Sequence, residues 1–259
     1  MDFARFIDLL VSKRLWLSRV DLLGDQREGR LTQPEYRRIS KKSNNEATAI
    51  EKLRVLNYVN CWHQADCESM AMWDLYGAGG CGVAIKATVA SIKAAIAGDP
   101  VSVYIGRVKY CDWTQHDEDP QNVIGLAVRK ADGYRHENEV RLLHWKTEDT
   151  DPPPVGAERF APDVMTAVVG FLPRLDFTSV EPGELALKAI LDCRYRERLR
   201  SEPPGISIGI KTSALVDRVV VGPRAQRWIL ELAGTVAKLH ELRADVSPSE
   251  LLAPTRQRE

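Results

Sequence analysis

The chain has 259 residues, 44% of them hydrophobic and 28% charged, an ordinary balance for a folded globular protein. Its 36 Lys and Arg are matched by 36 Asp and Glu. No net field therefore draws it to nucleic acid or to an anionic membrane.

The amphipathic start, MDFARFIDLLVSKRLWLSRV, carries Asp2 and Asp8 where a signal peptide needs an unbroken apolar stretch. No run approaches the roughly 18 apolar residues of a spanning helix. The five cysteines are odd in number and irregularly spaced, the usage expected of free thiols in a reducing compartment. A cytoplasmic protein without a membrane partner is expected.

Phe3, Phe6, Ile7 and Leu10 predict an amphipathic helix over residues 2–12, capped by Asp2. Arg14 to Val20 alternates as a strand. Residues 24–48 are polar and suggest a loop and a partly exposed helix. LRVLNYVNCWH is rich in β-formers and predicts a strand, and DCESMAMWDLYGAGG a short helix ended by glycine. GVAIKA follows as a strand. TVASIKAAIAGD is a helix capped by Thr88 and stopped at Gly98. VSVYIGRVKY is expected as one long strand, CDWTQHDEDP as an acidic loop, QNVIGLAVRKADG as a helix and YRHENEVRLLHW as a strand of period two.

Pro152, Pro153 and Pro154 mark a linker or lid over residues 147–160. A strand around 164–172 and a helix around 181–200 are expected next. DRVVVGP is a strand, and RAQRWILELAGTVAKLHEL a closing helix with Trp228, Leu232, Val236 and Leu239 inward. The uneven alternation of strands and helices favours an α+β fold with a mixed or antiparallel split sheet. A single domain spans 1–246, with a tail over 247–259.

Gly77, Gly79 and Gly82 satisfy G-x-G-x-x-G, and VAIK ends at Lys86. A dinucleotide fingerprint follows a strand and opens a helix, whereas this one follows a helix and opens a strand. A helix-to-strand turn is the simpler explanation. Cys61, His63, Cys67 and Cys81 contain no C-x-x-C pair, so buried structural thiols are expected rather than a zinc site, and no metal is assigned.

YRHENEVRLLHW carries the chemistry. On a strand Arg135, Glu137, Glu139 and Arg141 share one face, and carboxylates about 7 Å apart repel unless cations or a ligand compensate. Two explanations stand: an arginine-compensated edge strand, or a paired-carboxylate site in which one group stabilises positive charge and the other orients or deprotonates a nucleophile. Arg19, ending the strand LWLSR, is either a surface residue or a bidentate phosphate ligand.

Four segments resemble a bacterial family, domain-of-unknown-function family 2971: LWLSRVDLLGDQREG, CWHQADCESMAMWDLYGAGGCGVAI, the set Lys130, Tyr134 and ENEVR, and VVVGPRAQRW. The motif layout is similar to that of the ADP-ribosyltransferases. That resemblance implies an ADP-ribosyltransferase-like fold and NAD as substrate. Glu139 would be the catalytic carboxylate, Glu137 its acceptor-steering partner, and Arg19 the phosphate ligand. The middle strand reads Cys61-Trp62-His63 where those enzymes carry Ser-Thr-Ser, so His63 or Ser69 would supply the polar contact. Trp62, Trp73 or Tyr76 would stack on a flat ring, although Trp73 and Tyr76 also suit core packing. The implied activity is ADP-ribose transfer to a protein or nucleic acid, as in a toxin or antiphage effector with a neutralising partner protein. An NAD glycohydrolase and a non-catalytic sensing or interaction module remain as alternatives.

Overall fold

The computed structural model describes residues 1–42, 44–118, 123–146 and 202–252. The elements expected around 164–172 and 181–200, and the proline segment, lie outside the described residues. Helices and strands are mixed, and the strands form split sheets with mainly antiparallel pairing, an α+β arrangement. Contacts divide the chain into two compact units where the sequence suggests one domain. The first unit comprises Met1–Trp16, Ala65–Val101 and Ser207–Glu259, the second Leu17–Gln64 and Ser102–Ile206. Among the described residues, no helix is long and apolar enough to cross a membrane.

In the first unit, α1 (Phe3–Ser12) starts where the Asp2 side chain accepts from the Arg5 N–H at 2.7 Å. Helix α4 (Met70–Tyr76) is capped by Ser69 and leads through a glycine turn into β3 (Val83–Lys86). Helix α5 (Val89–Ile96) opens with a capping box between Thr88 and Ser91, which satisfies two amide donors that a helix start would otherwise leave free. A short helix α7 (Thr212–Leu215) precedes β9 (Arg218–Val221), and α8 (Arg227–Leu239) leads to β10 (Asp245–Pro248). The sheet order is β10-β9-β3, β10 parallel and β3 antiparallel to β9. Ser247 and Pro248 pair with Val220 and Val221, so ordered structure continues into the residues expected as a tail.

The helix α8 corrects a sequence expectation. Its inward residues are Ile229, Ala233 and Ala237, whereas Trp228 and Leu239 are 53% and 75% exposed. The small residues let the helix sit close on Val221 and Phe3, and close approach outweighs the larger residues one position away.

The second unit is built on β2 (Asn57–His63) and β7 (Glu139–Trp145), antiparallel and in register from Asn57↔Trp145 to His63↔Glu139. β4 (Tyr104–Arg107) pairs with the other edge of β7. Ser18 and Arg19 of β1 (Arg14–Arg19) pair with Val59 and Tyr58. The five-stranded order is β4-β7-β2-β1-β8, with β8 at Gly205–Gly209. Val20, Leu53, Leu56, Val59, Ala127, Leu143 and Trp145 form a core beneath it. Helices α2 (Gln33–Lys42) and α3 (Asn44–Lys52) contribute Ile39 and Ala47 to a second cluster with Leu31 and Leu126.

Three sequence expectations change here. The long strand over 101–110 is two strands, because the chain changes partner at Val108: β4 pairs with β7, and β5 (Lys109–Cys111) pairs parallel with β6 (Arg129–Ala131). The helix expected over 121–133 is α6 (Val123–Ala127) followed by β6. Residues 53–56 form a 3-10 turn, so the strand expected from Leu53 begins at Asn57.

Candidate functional site

YRHENEVRLLHW is not one strand. Asp132–Glu137 make a 3-10 turn, Asn138 takes a left-handed conformation at φ 38°, and β7 starts at Glu139. Asn is one of the few residues that visit that region, and here its side-chain amide donates to the carbonyl of Gln64, in the segment that follows β2. Strand alternation therefore does not explain why Glu137 and Glu139 meet. The turn swings Glu137 back, and both carboxylates close on the Lys130 ammonium from β6. Lys130 Nζ donates to Glu139 Oε1 at 2.5 Å and also to Glu137 Oε2.

Two residues complete the cluster. Arg141, on β7 and fully buried, donates from Nε to Glu139 Oε2 at 2.7 Å and from Nη1 to the Ala127 carbonyl at 2.7 Å. Its other terminal nitrogen pairs with Glu28 Oε2, and Glu28 Oε1 lies 3.5 Å from Lys130 Nζ. Glu28 is presented by a turn that passes through Gly29 at φ 72°, where an added Cβ would lie 2.8 Å from Arg54 Cβ and 2.9 Å from Val20 Cγ1. Only glycine allows that turn to close.

Glu28, Lys130, Glu137 and Glu139 are 3%, 6%, 5% and 6% exposed, so five charged groups share one low-dielectric region. Glu137 and Glu139 converge on the one Lys130 ammonium, and of the two only Glu139 also meets Arg141. Burial raises Glu137 above the ordinary carboxylate range, and the adjoining Glu139 carboxylate adds to the rise, outweighing Lys130. Burial opposes ionisation of Glu139 too. There, however, the adjoining Glu137 carboxyl and the Arg141 charge prevail and hold it well below the usual range. Burial also raises Glu28 despite Arg141 and Lys130. Lys130 is held above its ordinary value, its bonds to Glu137 and Glu139 outweighing burial.

The surroundings are mostly neutral. Tyr110 Oη accepts from the Glu139 N–H at 2.8 Å, and the Tyr134 ring lies 4.7 Å from Lys130 Nζ. Cys61 faces Arg141 across the ladder. It keeps an exposed surface while its sulfur is crowded; loss of water first, then Glu139 and Glu28, push the thiol up to about 12 against the pull of Arg141. At neutral pH it is a thiol, a weak nucleophile.

Arg19 is committed elsewhere: Nε and Nη2 bind the Asp21 carboxylate at 2.6 and 3.2 Å, and Nη1 binds the Glu202 carbonyl at 2.6 Å. His63 Nδ1 lies 2.6 Å from the Glu137 carbonyl oxygen, next to the carboxyl pair. Arg135 points outward, paired with Asp132 and lying over Tyr110. Ser69, Trp73 and Tyr76 belong to the first unit. Ser69 caps α4, Trp73 Nε1 donates to Glu68 at 2.9 Å, and Tyr76 is 51% exposed. Beside Trp73, the glycine turn borders a hollow of about 40 Å³ that reaches Arg224. Among the described residues, no group of three or more His, Cys, Asp or Glu is arranged to hold a metal.

No family model, no curated protein and no solved structure matches the chain. Glu28, Lys130 and Arg141 were not singled out as site residues, yet each left a trace in the sequence. Arg141 interrupts the largely apolar run VRLLHW, where a cation needs a buried partner, and Lys130 follows Arg129 in a strand that is buried throughout. Glu28 precedes the glycine of DQREG.

Proposed function

We propose that the chain is an NAD-consuming enzyme of ADP-ribosyltransferase type, transferring ADP-ribose to a macromolecule, with Glu139 and Glu137 as its catalytic pair. The observation that carries this reading is the pair itself: two buried carboxylates converge on the Lys130 ammonium, and Glu139 is held by Arg141 as well. Two cations on one carboxylate and one on the other give the pair unequal environments, which suits two different roles. Glu139, ionised and anchored by Arg141, supplies negative charge beside an oxocarbenium-like ribose.

The bond between nicotinamide nitrogen and ribose C1′ breaks, its electron pair leaving with neutral nicotinamide. The acceptor then adds to C1′ and its proton passes to water. Glu137 steers that acceptor, His63 borders the pair, and Arg19 would serve the pyrophosphate by exchanging Asp21 for it. The family resemblance and an ADP-ribosyltransferase-like fold belong to the same proposal, as does a toxin or antiphage role with a neutralising partner. Water in place of the macromolecule would make the activity that of an NAD glycohydrolase.

A non-catalytic module is the second reading. It is favoured by the saturation of both carboxylates by Lys130 and Arg141, as in a structural ion network.

Purified protein incubated with NAD and cell extract, followed by mass spectrometry, separates these. Nicotinamide release that disappears in Glu139→Gln supports the enzyme, and ADP-ribose attached to protein or nucleic acid supports transfer over hydrolysis. No release above the Glu139→Gln control leaves the non-catalytic module.

A further inference from the structure

We infer that Glu28 is a positioning residue that fixes the proton count of the Glu137–Glu139 pair, by occupying cationic charge that the pair would otherwise claim. The inference rests on the catalytic reading for its functional meaning, but its geometry stands alone. Glu28 reaches both cations of the cluster, Arg141 through Oε2 and Lys130 through Oε1. Fully ionised, Glu28, Glu137 and Glu139 set three negative charges against the two positive charges of Lys130 and Arg141. An unbalanced charge in a buried site is costly, and a group there neutralises instead. One proton retained among the carboxyls restores neutrality, and it resides on Glu137, which meets one cation where Glu139 and Glu28 each meet two.

Other groups that face the pair do not change that sum. From β2, Cys61 contributes a neutral thiol, and His63 meets Glu137 through a backbone carbonyl. From β5, Tyr110 contributes a phenol whose oxygen already accepts from Glu139 N–H. On β6, Arg129 is taken by Glu35 at 2.6 Å. On the turn, Arg135 is taken by Asp132. Glu28 is therefore the group that sets whether the pair holds one proton or none. In Glu28→Gln the remaining two carboxylates balance the two cations without a proton, so Glu137 ionises more readily.

The test is carboxyl-carbon NMR of the full chain labelled at glutamate, titrated from acid to alkaline pH, with the Glu137 signal assigned by its loss in Glu137→Gln. In the wild type Glu137 is expected to remain protonated at neutral pH. In Glu28→Gln its midpoint is expected to fall by about one to three pH units, and in the charge-retaining Glu28→Asp to stay near the wild-type value. An unchanged midpoint in Glu28→Gln, or three ionised carboxylates in the wild type at neutral pH, overturns the inference. The wild-type result holds even if Glu28→Gln fails to fold. Because the signal requires no turnover, absence of nicotinamide release would refute the catalytic reading and leave this result intact.

Discussion

Replacing Lys130 by methionine tests the buried cluster most severely. The ammonium touches Glu139 at 2.5 Å, Glu28 at 3.5 Å and Glu137 besides. Methionine keeps most of the chain volume and removes the charge. Three carboxyls then face the single charge of Arg141. Removing one partner from a buried ion pair costs about 3–5 kcal/mol, because the other charge is left uncompensated. For a protein of this size that corresponds to a fall of roughly 6–20 °C in melting temperature.

The pH dependence makes the prediction specific. Without the ammonium, the folded-state proton affinities of these carboxyls rise above their unfolded values. A raised carboxyl weakens the fold as pH climbs past the unfolded value near 4.5 and on through the folded one. The deficit of Lys130→Met should therefore be largest at pH 8 and shrink by more than ~1 kcal/mol at pH 5. Urea unfolding followed by tryptophan fluorescence at both pH values measures it. Adding Glu137→Gln should recover part of the loss. A deficit below ~1 kcal/mol, or one equal at both pH values, would refute a compensated buried cluster.

Other outcomes follow from single contacts. Glu139 is held below its ordinary value of 4.5, so its contribution is present above that pH and lost below it. Melting curves should show the wild type losing more stability between pH 5 and pH 3 than Glu139→Gln does. Thr88→Ala removes the capping box of α5 and should cost about 1 kcal/mol in urea unfolding; no loss would mean that Asp217, 3.1 Å from the Thr88 N–H, caps the helix alone. Gly82→Ala would place a Cβ 2.5 Å from Gly77 Cα and 2.6 Å from its carbonyl oxygen. Since backbone cannot yield as a side chain can, a loss of roughly 1–3 kcal/mol is expected by thermal melting.

Much of the fold was legible where local rules decide it. Asp2 and Thr88 announce their helices by capping chemistry, and VAIK and RVVV are strands by composition. The glycine turn was rightly separated from a dinucleotide fingerprint by its position after a helix. Partner changes were not legible: nothing local in VSVYIGRVKY tells that the chain leaves β7 for β6 at Val108. Nor does the apolar period of α8 reveal that Ala233 and Ala237 are preferred inward because the sheet comes close. The acidic pair was found for a partly mistaken reason. Strand alternation placed Glu137 and Glu139 on one face, whereas Asn138 and a helical turn bring them together. Lys130 and Arg141, which hold them, are near in sequence, but the turn that closes Lys130 on the pair and the arrival of Glu28 from a distant segment require the fold.

The most direct measurement is titration of the glutamate-labelled protein with NAD at millimolar concentration while the Glu137 and Glu139 carboxyl signals are followed. Saturable movement of both, abolished by Arg19→Ala and with the Glu68 signal unmoved, is expected if the nicotinamide ribose meets the pair. Unmoved Glu137 and Glu139 signals at saturating nucleotide would contradict a catalytic role for them.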